Sequence, residues 1–166
     1  MTSAAAAVAS GAAPPICRTD GNKPARLDFH LHVGHRIHHA CRVVRKARAA
    51  AQTVLVYTRD ADRLARFDLA LWTFSAFDFL PHVDADSPLA AATPIWLARQ
   101  PLARPRDVLL LLDDEIVPDF EPWFELFGRV IEIVSADESD RRLARIRYRA
   151  YRGRGIEPTM HSLASG

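Results

Sequence analysis

The chain of 166 residues lacks most features that mark exported, membrane-spanning and nucleotide-binding proteins. Its only two cysteines are Cys17 and Cys41, too few for the disulfide framework of a small exported domain. No stretch reaches the roughly 20 apolar residues that cross a bilayer. We therefore expect a cytoplasmic protein without a membrane partner.

The chain also has little excess of charge of either sign. Lysine and arginine number 22 against 20 aspartate and glutamate, so the formal net charge is +2. A charge this small does not require nucleic acid as a partner. With 49% hydrophobic and 25% charged residues the composition is that of a globular chain, and the length suits one domain.

The chain also lacks the motifs of nucleotide binding and of common catalytic centres. Neither GxxxxGK[ST] nor GxGxxG occurs, so backbone amides cannot closely surround a pyrophosphate, and we expect no cofactor. A GxSxG motif is missing as well. Asp113, Asp114 and Glu115 form the tightest acidic cluster. Acid–base or metal chemistry is one interpretation, but solvated acids at a strand end are commoner, and we expect no catalytic residue.

The first residues are rich in alanine and proline and show no apolar periodicity, which predicts a disordered extension over 1–25. A secretory signal peptide is the alternative, but it would need a basic start and a longer apolar segment. We expect the folded domain over 26–156 and a flexible C-terminal tail over 157–166.

Within that domain, strand-like and helix-like segments alternate. Strands are predicted at 27–33, 53–58, 77–83, 95–98, 107–112 and 130–134, and helices at 35–51, 61–72, 118–128 and 135–152. Asp60 is the expected N-cap of the second helix, and Gly128 the expected end of the third. The alternation predicts a single α/β domain with a mainly parallel, helix-covered sheet.

Five histidines are packed into ten residues: His30, His32, His35, His38 and His39. His35 and His39 stand four apart on a predicted helix, as metal ligands do. Asp28 is the one carboxylate near enough to complete such a site. The pattern therefore favours solvated or half-buried histidines over a metal site.

The predicted C-terminal helix carries a basic stripe. Helical spacing places Arg141, Arg145, Tyr148, Arg149 and Arg152 along one face. Arginine binds carboxylates and phosphates with two hydrogen bonds at once. An acidic peptide whose apolar residue packs beside Tyr148 suits this stripe at least as well as nucleic acid. Direct nucleic-acid binding through the same helix remains the alternative function.

A second feature is a run of four aromatic residues, Trp72, Phe74, Phe77 and Phe79. One helix end and one short strand cannot direct all four rings inward, so we expect some of them to be exposed. An exposed aromatic patch is typical of a protein interface.

Several of these features, in this order, resemble one protein family. They are Asp28-Phe29, the helix containing Cys41, Ala70-Leu71-Trp72 followed by Phe79 and Pro81-His82, Arg106-Asp107 before an apolar strand, and Arg145-x-Arg147-Tyr148-Arg149-x-Tyr151-Arg152. Over about residues 26–156 the chain resembles the chi subunits of DNA polymerase III.

This resemblance implies a nucleotide-binding-like topology without a nucleotide, and a non-catalytic accessory subunit of the clamp-loader complex of DNA polymerase III. The implied partners are the acidic C-terminal tail of single-stranded DNA-binding protein and the clamp-loader psi subunit. DNA would be contacted only indirectly, and a repair helicase uses the psi surface in some relatives.

The resemblance also implies the residues that hold each partner. The tail site would comprise Arg141, Arg145, Tyr148, Arg149 and Val134, with Arg145 meeting the terminal carboxylate. The psi site would comprise Trp72, Phe79 and Phe74. Ile146 stands where relatives usually carry a charge, which extends the apolar surface of the helix.

Overall fold

The fold is a seven-stranded parallel sheet in a computed structural model that describes residues 26–163. Within those residues the strands are β1 Arg26–Val33, β2 Val54–Tyr57, β3 His82–Asp84, β4 Ile95–Ala98, β5 Arg106–Leu111, β6 Phe127–Ser135 and β7 Thr159–Ser162, and the helices are α1 Arg36–Ala49, α2 Ala61–Thr73, α3 Phe120–Phe124 and α4 Glu138–Gly153. The strand order is β3-β4-β2-β5-β6-β1-β7. Neighbouring strands pair in parallel, which confirms the predicted α/β class.

Parallel strands require crossover connections, and these place helices on both faces of the sheet. The helices α1 and α2 cover one face, where Val44 and Phe67 pack on the strands. The helices α3 and α4 cover the other, where Trp123 and Tyr151 join the core. Central strands are therefore apolar on both sides, as in β2, whose four residues are all buried.

The ends of two helices test the predicted boundaries. The side chain of Asp60 accepts a hydrogen bond of 3.0 Å from the backbone N–H of Arg63, which confirms it as the N-cap of α2. Gly128 does not end the third helix as predicted. The helix α3 ends at Phe124, and Gly128 lies inside β6.

The predicted strand over 77–83 is mostly wrong, since only its last two residues belong to β3. The preceding segment is irregular because the hydroxyl of Ser75 accepts hydrogen bonds from the backbone N–H groups of Phe77 and Asp78. These local bonds compete with strand pairing, and Pro81 has no N–H to offer.

The predicted flexible tail over 157–166 also needs correction within its described residues, 157–163. Residues 164–166, and the predicted disordered extension over 1–25, lie outside the residues that the structure describes. Thr159–Ser162 forms β7, which pairs in parallel with residues 28–31 of β1. The imidazole Nε2 of His161 lies 2.8 Å from a carboxylate oxygen of the buried Asp28. A four-residue edge strand with polar side chains gives no apolar pattern, so composition alone does not distinguish it from a tail.

A buried charged network joins α4 to β6. The side chains of Arg147 and Glu132 are each 2% exposed, and Arg147 Nε donates to Glu132 Oε2 at 2.8 Å. The hydroxyl of Tyr151 donates to the other oxygen of Glu132. Burial, and then the charge of Glu132, raises the pKa of Tyr151 well above its ordinary value, so the phenol stays protonated. Arg147 is thus turned to the opposite side of α4 from the exposed arginines.

This network predicts a large stability effect for the buried arginine of α4. Arg147→Ala should lower the free energy of unfolding by about 3–5 kcal/mol, because Glu132 would remain buried without its cation. Urea denaturation measures the loss. The exposed Arg142 offers the matched control, and Arg142→Ala should change stability by no more than about 0.5 kcal/mol. Equal stabilities of the two variants would show that the network does not hold α4.

Candidate functional site

A groove of about 390 Å³ lies between α4 and the strands β1, β6 and β7. Its lining residues are Phe29, Leu31, His32, Val134, Arg141, Ala144, Arg145, Tyr148 and Met160. Four of the five residues predicted for tail binding are among them: Arg141, Arg145, Tyr148 and Val134. The fifth, Arg149, is exposed on α4 and does not line the groove.

The floor of the groove is apolar because of the helical spacing of α4. Ala144 and Arg145 lie three and four residues after Arg141, and Tyr148 lies four and three residues after them, so all four share one face. Ala144 is buried and small, which leaves room beside it. The ring of Tyr148 meets that of Phe29 edge to face, with centroids 6.0 Å apart. An apolar side chain would therefore find an aromatic wall on one side of this floor.

The rim of the groove is cationic. The side chains of Arg141 and Arg145 are 40% and 55% exposed. Both contact Glu138 at the start of α4, with N–O distances of 3.2 Å from Arg141 and 3.3 Å from Arg145. A further cation stands nearby, since the guanidinium of Arg152 lies 5.9 Å from the centre of the Tyr148 ring. The arrangement suits a ligand with an apolar group and a carboxylate.

The sequence analysis missed the strand side of this groove. Phe29 and Leu31 alternate with polar residues in the first predicted strand, and that pattern could have suggested them. His32 joins the lining where β1 departs from regular pairing, with a left-handed φ of 59° and a register shift between His30 and Val33. Met160 comes from β7, the strand that had been expected to be flexible.

The aromatic run near the end of α2 forms a second candidate surface. The rings of Trp72 and Phe79 lie 5.8 Å apart, and their residues are 53% and 71% exposed. Trp72 also packs on His82 of β3, at 4.6 Å between centroids. Phe74, predicted as a third member, does not join them. It turns towards α1 and packs on His38, with centroids 5.2 Å apart.

The two surfaces lie at opposite ends of the sheet. The groove borders β1 and β7, whereas the Trp72–Phe79 pair borders β3, five strand positions from β1. At about 4.8 Å per strand this separation is roughly 24 Å. The helices that carry them, α4 and α2, also cover opposite faces. A molecule bound at one surface would leave the other open.

Comparison with known proteins identifies the family. Residues 25–159 match the family model described as DNA polymerase III chi subunit, HolC. The chain belongs to this family. The chi subunit of Pseudomonas aeruginosa is 31% identical over 142 residues, which cover 83% of this chain and 96% of that protein. The chi subunit of Escherichia coli is 30% identical over 119 residues, covering 70% of this chain and 78% of that protein.

Membership in the chi family supports a role as an accessory subunit of DNA polymerase III in replication. Among solved structures, the C-terminal domain of S. cerevisiae Dbp5, bound to Gle1 and IP6, is similar with a TM-score of 0.52. The match covers 85% of this chain and 92% of that one, but at 9% identity it concerns the fold alone. No helix within residues 26–163 is long and apolar enough to span a bilayer.

The acidic cluster of this chi-family chain is neutralised by arginines. Arg59 contacts both Asp113 and Glu115, at 2.7 and 3.1 Å. Asp114 receives hydrogen bonds of 2.7 Å from Arg36 and from Arg63. Burial raises the pKa of Asp114, but the bonds from Arg63 and Arg36 outweigh that effect and hold it below the usual range. Carboxylates held in this way act as structural ion pairs and are poorly suited to proton transfer.

Two of the five neighbouring histidines, His30 and His39, form a cluster with His161 between β1, α1 and β7. One ring nitrogen of His30 lies 2.9 Å from one of His39, and the rings of His30 and His161 are 5.5 Å apart. Burial, followed by the nearby charges of His39, His161 and Arg129, lowers the pKa of His30 to about 4. In the described part of the chain, no three histidine, cysteine or acidic side chains are arranged to hold a metal ion.

The lowered pKa of His30 predicts a pH-dependent stability. Above pH 6.5, the ordinary value, His30 is neutral in both the folded and unfolded states. Between pH 6.5 and about 4 the unfolded chain binds a proton that the folded chain does not, so stability falls as the pH falls. His30→Gln should make this fall shallower. Urea denaturation across the interval measures both slopes, and identical slopes would contradict the assignment.

Proposed function

We propose that this chi-family chain links the clamp loader of DNA polymerase III to coated single-stranded DNA by holding the acidic C-terminal tail of single-stranded DNA-binding protein. The observation that carries the proposal is the groove beside α4, where an apolar floor adjoins two exposed guanidinium groups. A peptide end supplies the complementary pair of groups, an apolar side chain and a terminal carboxylate.

Within the groove each predicted residue has a separate task. Tyr148, with Val134 and Phe29, would contact the apolar side chain of the tail. Arg145 would meet the terminal carboxylate, because its guanidinium is exposed at the rim while its stem borders the floor. Arg141 would pair with an acidic residue further along the tail. Arg149 would act through long-range attraction only, since it stands outside the groove.

We expect each tail contact to be weak, and many of them to act together. Exposed charges are screened by salt, so we expect a dissociation constant near the micromolar range, or about 8 kcal/mol of binding free energy. A template coated by many copies of the partner presents many tails. Their high local concentration would keep the polymerase nearby even though each tail dissociates readily.

The proposal assigns the second surface to the clamp-loader psi subunit. Two exposed aromatic rings in contact, Trp72 and Phe79, provide the kind of apolar anchor that protein partners bury. A repair helicase, an alternative occupant of this surface in some relatives, would compete with psi. Because the pair lies about 24 Å from the groove and on the opposite face, psi and the tail could bind together.

Direct nucleic-acid binding by α4 is less well supported. An oligonucleotide needs several free cations along one face. Here Arg147 is buried, Arg141 and Arg145 pair with Glu138, and Arg152 pairs with Glu157 at 3.3 Å. These pairings leave fewer unpaired cations along α4 for a row of phosphates. The apolar floor would also have no function in phosphate binding.

The tail site predicts a strong effect of Arg145→Ala. The variant should bind a synthetic acidic tail peptide at least tenfold more weakly by calorimetry, since the terminal carboxylate loses its cation. Arg142→Ala removes an equally charged side chain from α4 outside the groove, and should bind within about twofold of the unaltered chain after screening by salt. Unchanged peptide binding by Arg145→Ala would show that the tail does not bind in this groove.

The Trp72–Phe79 surface predicts a defect in psi binding that leaves tail binding intact. Trp72→Ala should lose capture of psi in a pull-down, because the anchor ring and its contact with Phe79 disappear, while its affinity for the tail peptide stays the same. Phe74→Ala tests whether the half-buried ring belongs to the surface. If Trp72→Ala is folded, as verified by circular dichroism, and still captures psi, then the psi site lies elsewhere.

A further inference from the structure

The first turn of α4 contains a carboxylate that contacts both cations of the groove rim. Glu138 Oε2 lies 3.2 Å from Arg141 Nη1, and Glu138 Oε1 lies 3.3 Å from Arg145 Nη1. The two oxygens of one carboxylate thus contact two different guanidinium groups, in the way expected of a bound carboxylate ligand.

Helix capping alone does not explain this position. An acidic side chain in the first turn stabilises a helix wherever it points, because it faces the positive end of the helix dipole. The neighbouring Asp140 already supplies a first-turn acid and is directed inward, where it accepts from the backbone N–H of Ser135 and contacts Arg36. Glu138 is instead directed along the helix surface to the groove rim.

We infer that Glu138 is an intramolecular competitor that determines which acidic ligands this groove accepts. Its carboxylate occupies Arg141 and Arg145 until a ligand displaces it. The inference rests on the proposed function, because it assumes that a peptide carboxylate binds at these two arginines. It adds a residue that opposes binding to those that favour it.

The expected consequence is selectivity. A simple anion such as inorganic phosphate must displace Glu138 and gains no contact with the apolar floor in return. A peptide end that also places an apolar side chain beside Tyr148 gains that extra contact and displaces Glu138 more readily. Glu138 weakens both ligands by a similar factor, so the ratio of their affinities comes from the apolar contact. A ligand that carries charge alone is then left with too little affinity to occupy the groove.

The size of the expected change in affinity follows from the solvent exposure of Glu138 and its two arginine partners. Glu138 is 70% exposed at its side chain, and its two partners are also largely open to water. Exposed ion pairs contribute little, so removal of Glu138 should tighten peptide binding by about two- to fivefold.

The test uses the full chain and a labelled acidic peptide with a free terminal carboxylate, measured by fluorescence anisotropy. Glu138→Gln should bind the peptide about two- to fivefold more tightly than the unaltered chain. Glu115→Gln is the matched control. Glu115 is 75% exposed and pairs with Arg59, and neither residue lines the groove. Glu115→Gln removes the same charge, and should leave the affinity for the peptide nearly unchanged.

Two further measurements separate local competition from a general change in charge. In an Arg145→Ala background the gain from Glu138→Gln should shrink, because one of the two contested cations is gone. Inorganic phosphate should displace the peptide from Glu138→Gln at lower concentrations than from the Glu115→Gln control.

The outcomes distinguish the inference from the proposed function. If the unaltered chain binds the peptide and Glu138→Gln binds equally or more weakly, the competitor role is wrong and the tail site stands. An equal gain in both glutamine variants would also overturn it, as a general charge effect. If neither the unaltered chain nor Glu138→Gln binds, both ideas fail. Binding by Glu138→Gln alone would support the competitor role.

Discussion

The buried contact between Arg147 and Glu132 is the constraint on which the candidate groove depends. A charge inside the core is tolerable only when it is paired and hydrogen-bonded. Here Glu132 accepts from both Arg147 and Tyr151. Arg147 also donates to the backbone carbonyl of Asp114, while its Nη2 has no hydrogen-bond partner among the described residues. Because Arg147 must face Glu132, the rotation of α4 about its own axis is set. That rotation brings Arg145 and Tyr148 to the side where β1 and β7 lie. One helix therefore has a structural face and a candidate binding face, which differ in the surroundings of their arginines.

The central sheet was largely predictable, because continuous apolar runs have few other ways to be buried. The runs at 53–58 and 107–112 became β2 and β5 at the middle of the sheet. The candidate groove was predictable only on its helix side, where three- and four-residue spacing marks one face. The strand side required knowledge of the β1–β7 pairing and of the unusual backbone at His32, which depend on tertiary contacts.

Orientation of similar side chains was the hardest property to infer. Arg147 stood outside the predicted basic stripe, but helical spacing alone did not show that its guanidinium would be buried. Glu132 in the middle of an otherwise apolar strand was the signal that some cation had to be buried with it. The aromatic run posed the same difficulty. Trp72 and Phe79 contact each other, whereas Phe74 packs on His38. The sequence contains no pattern that predicts these different side-chain orientations.

The position of β7 has a consequence for the dynamics of the groove. This four-residue strand has one hydrogen-bonded neighbour and mostly exposed side chains, so its opening should cost far less than unfolding of the sheet. Met160 would leave the groove when β7 frays, while α4 stays in place. The stability of the β1–β7 pairing, and not the global stability of the domain, would determine the fraction of time for which Met160 lines the groove.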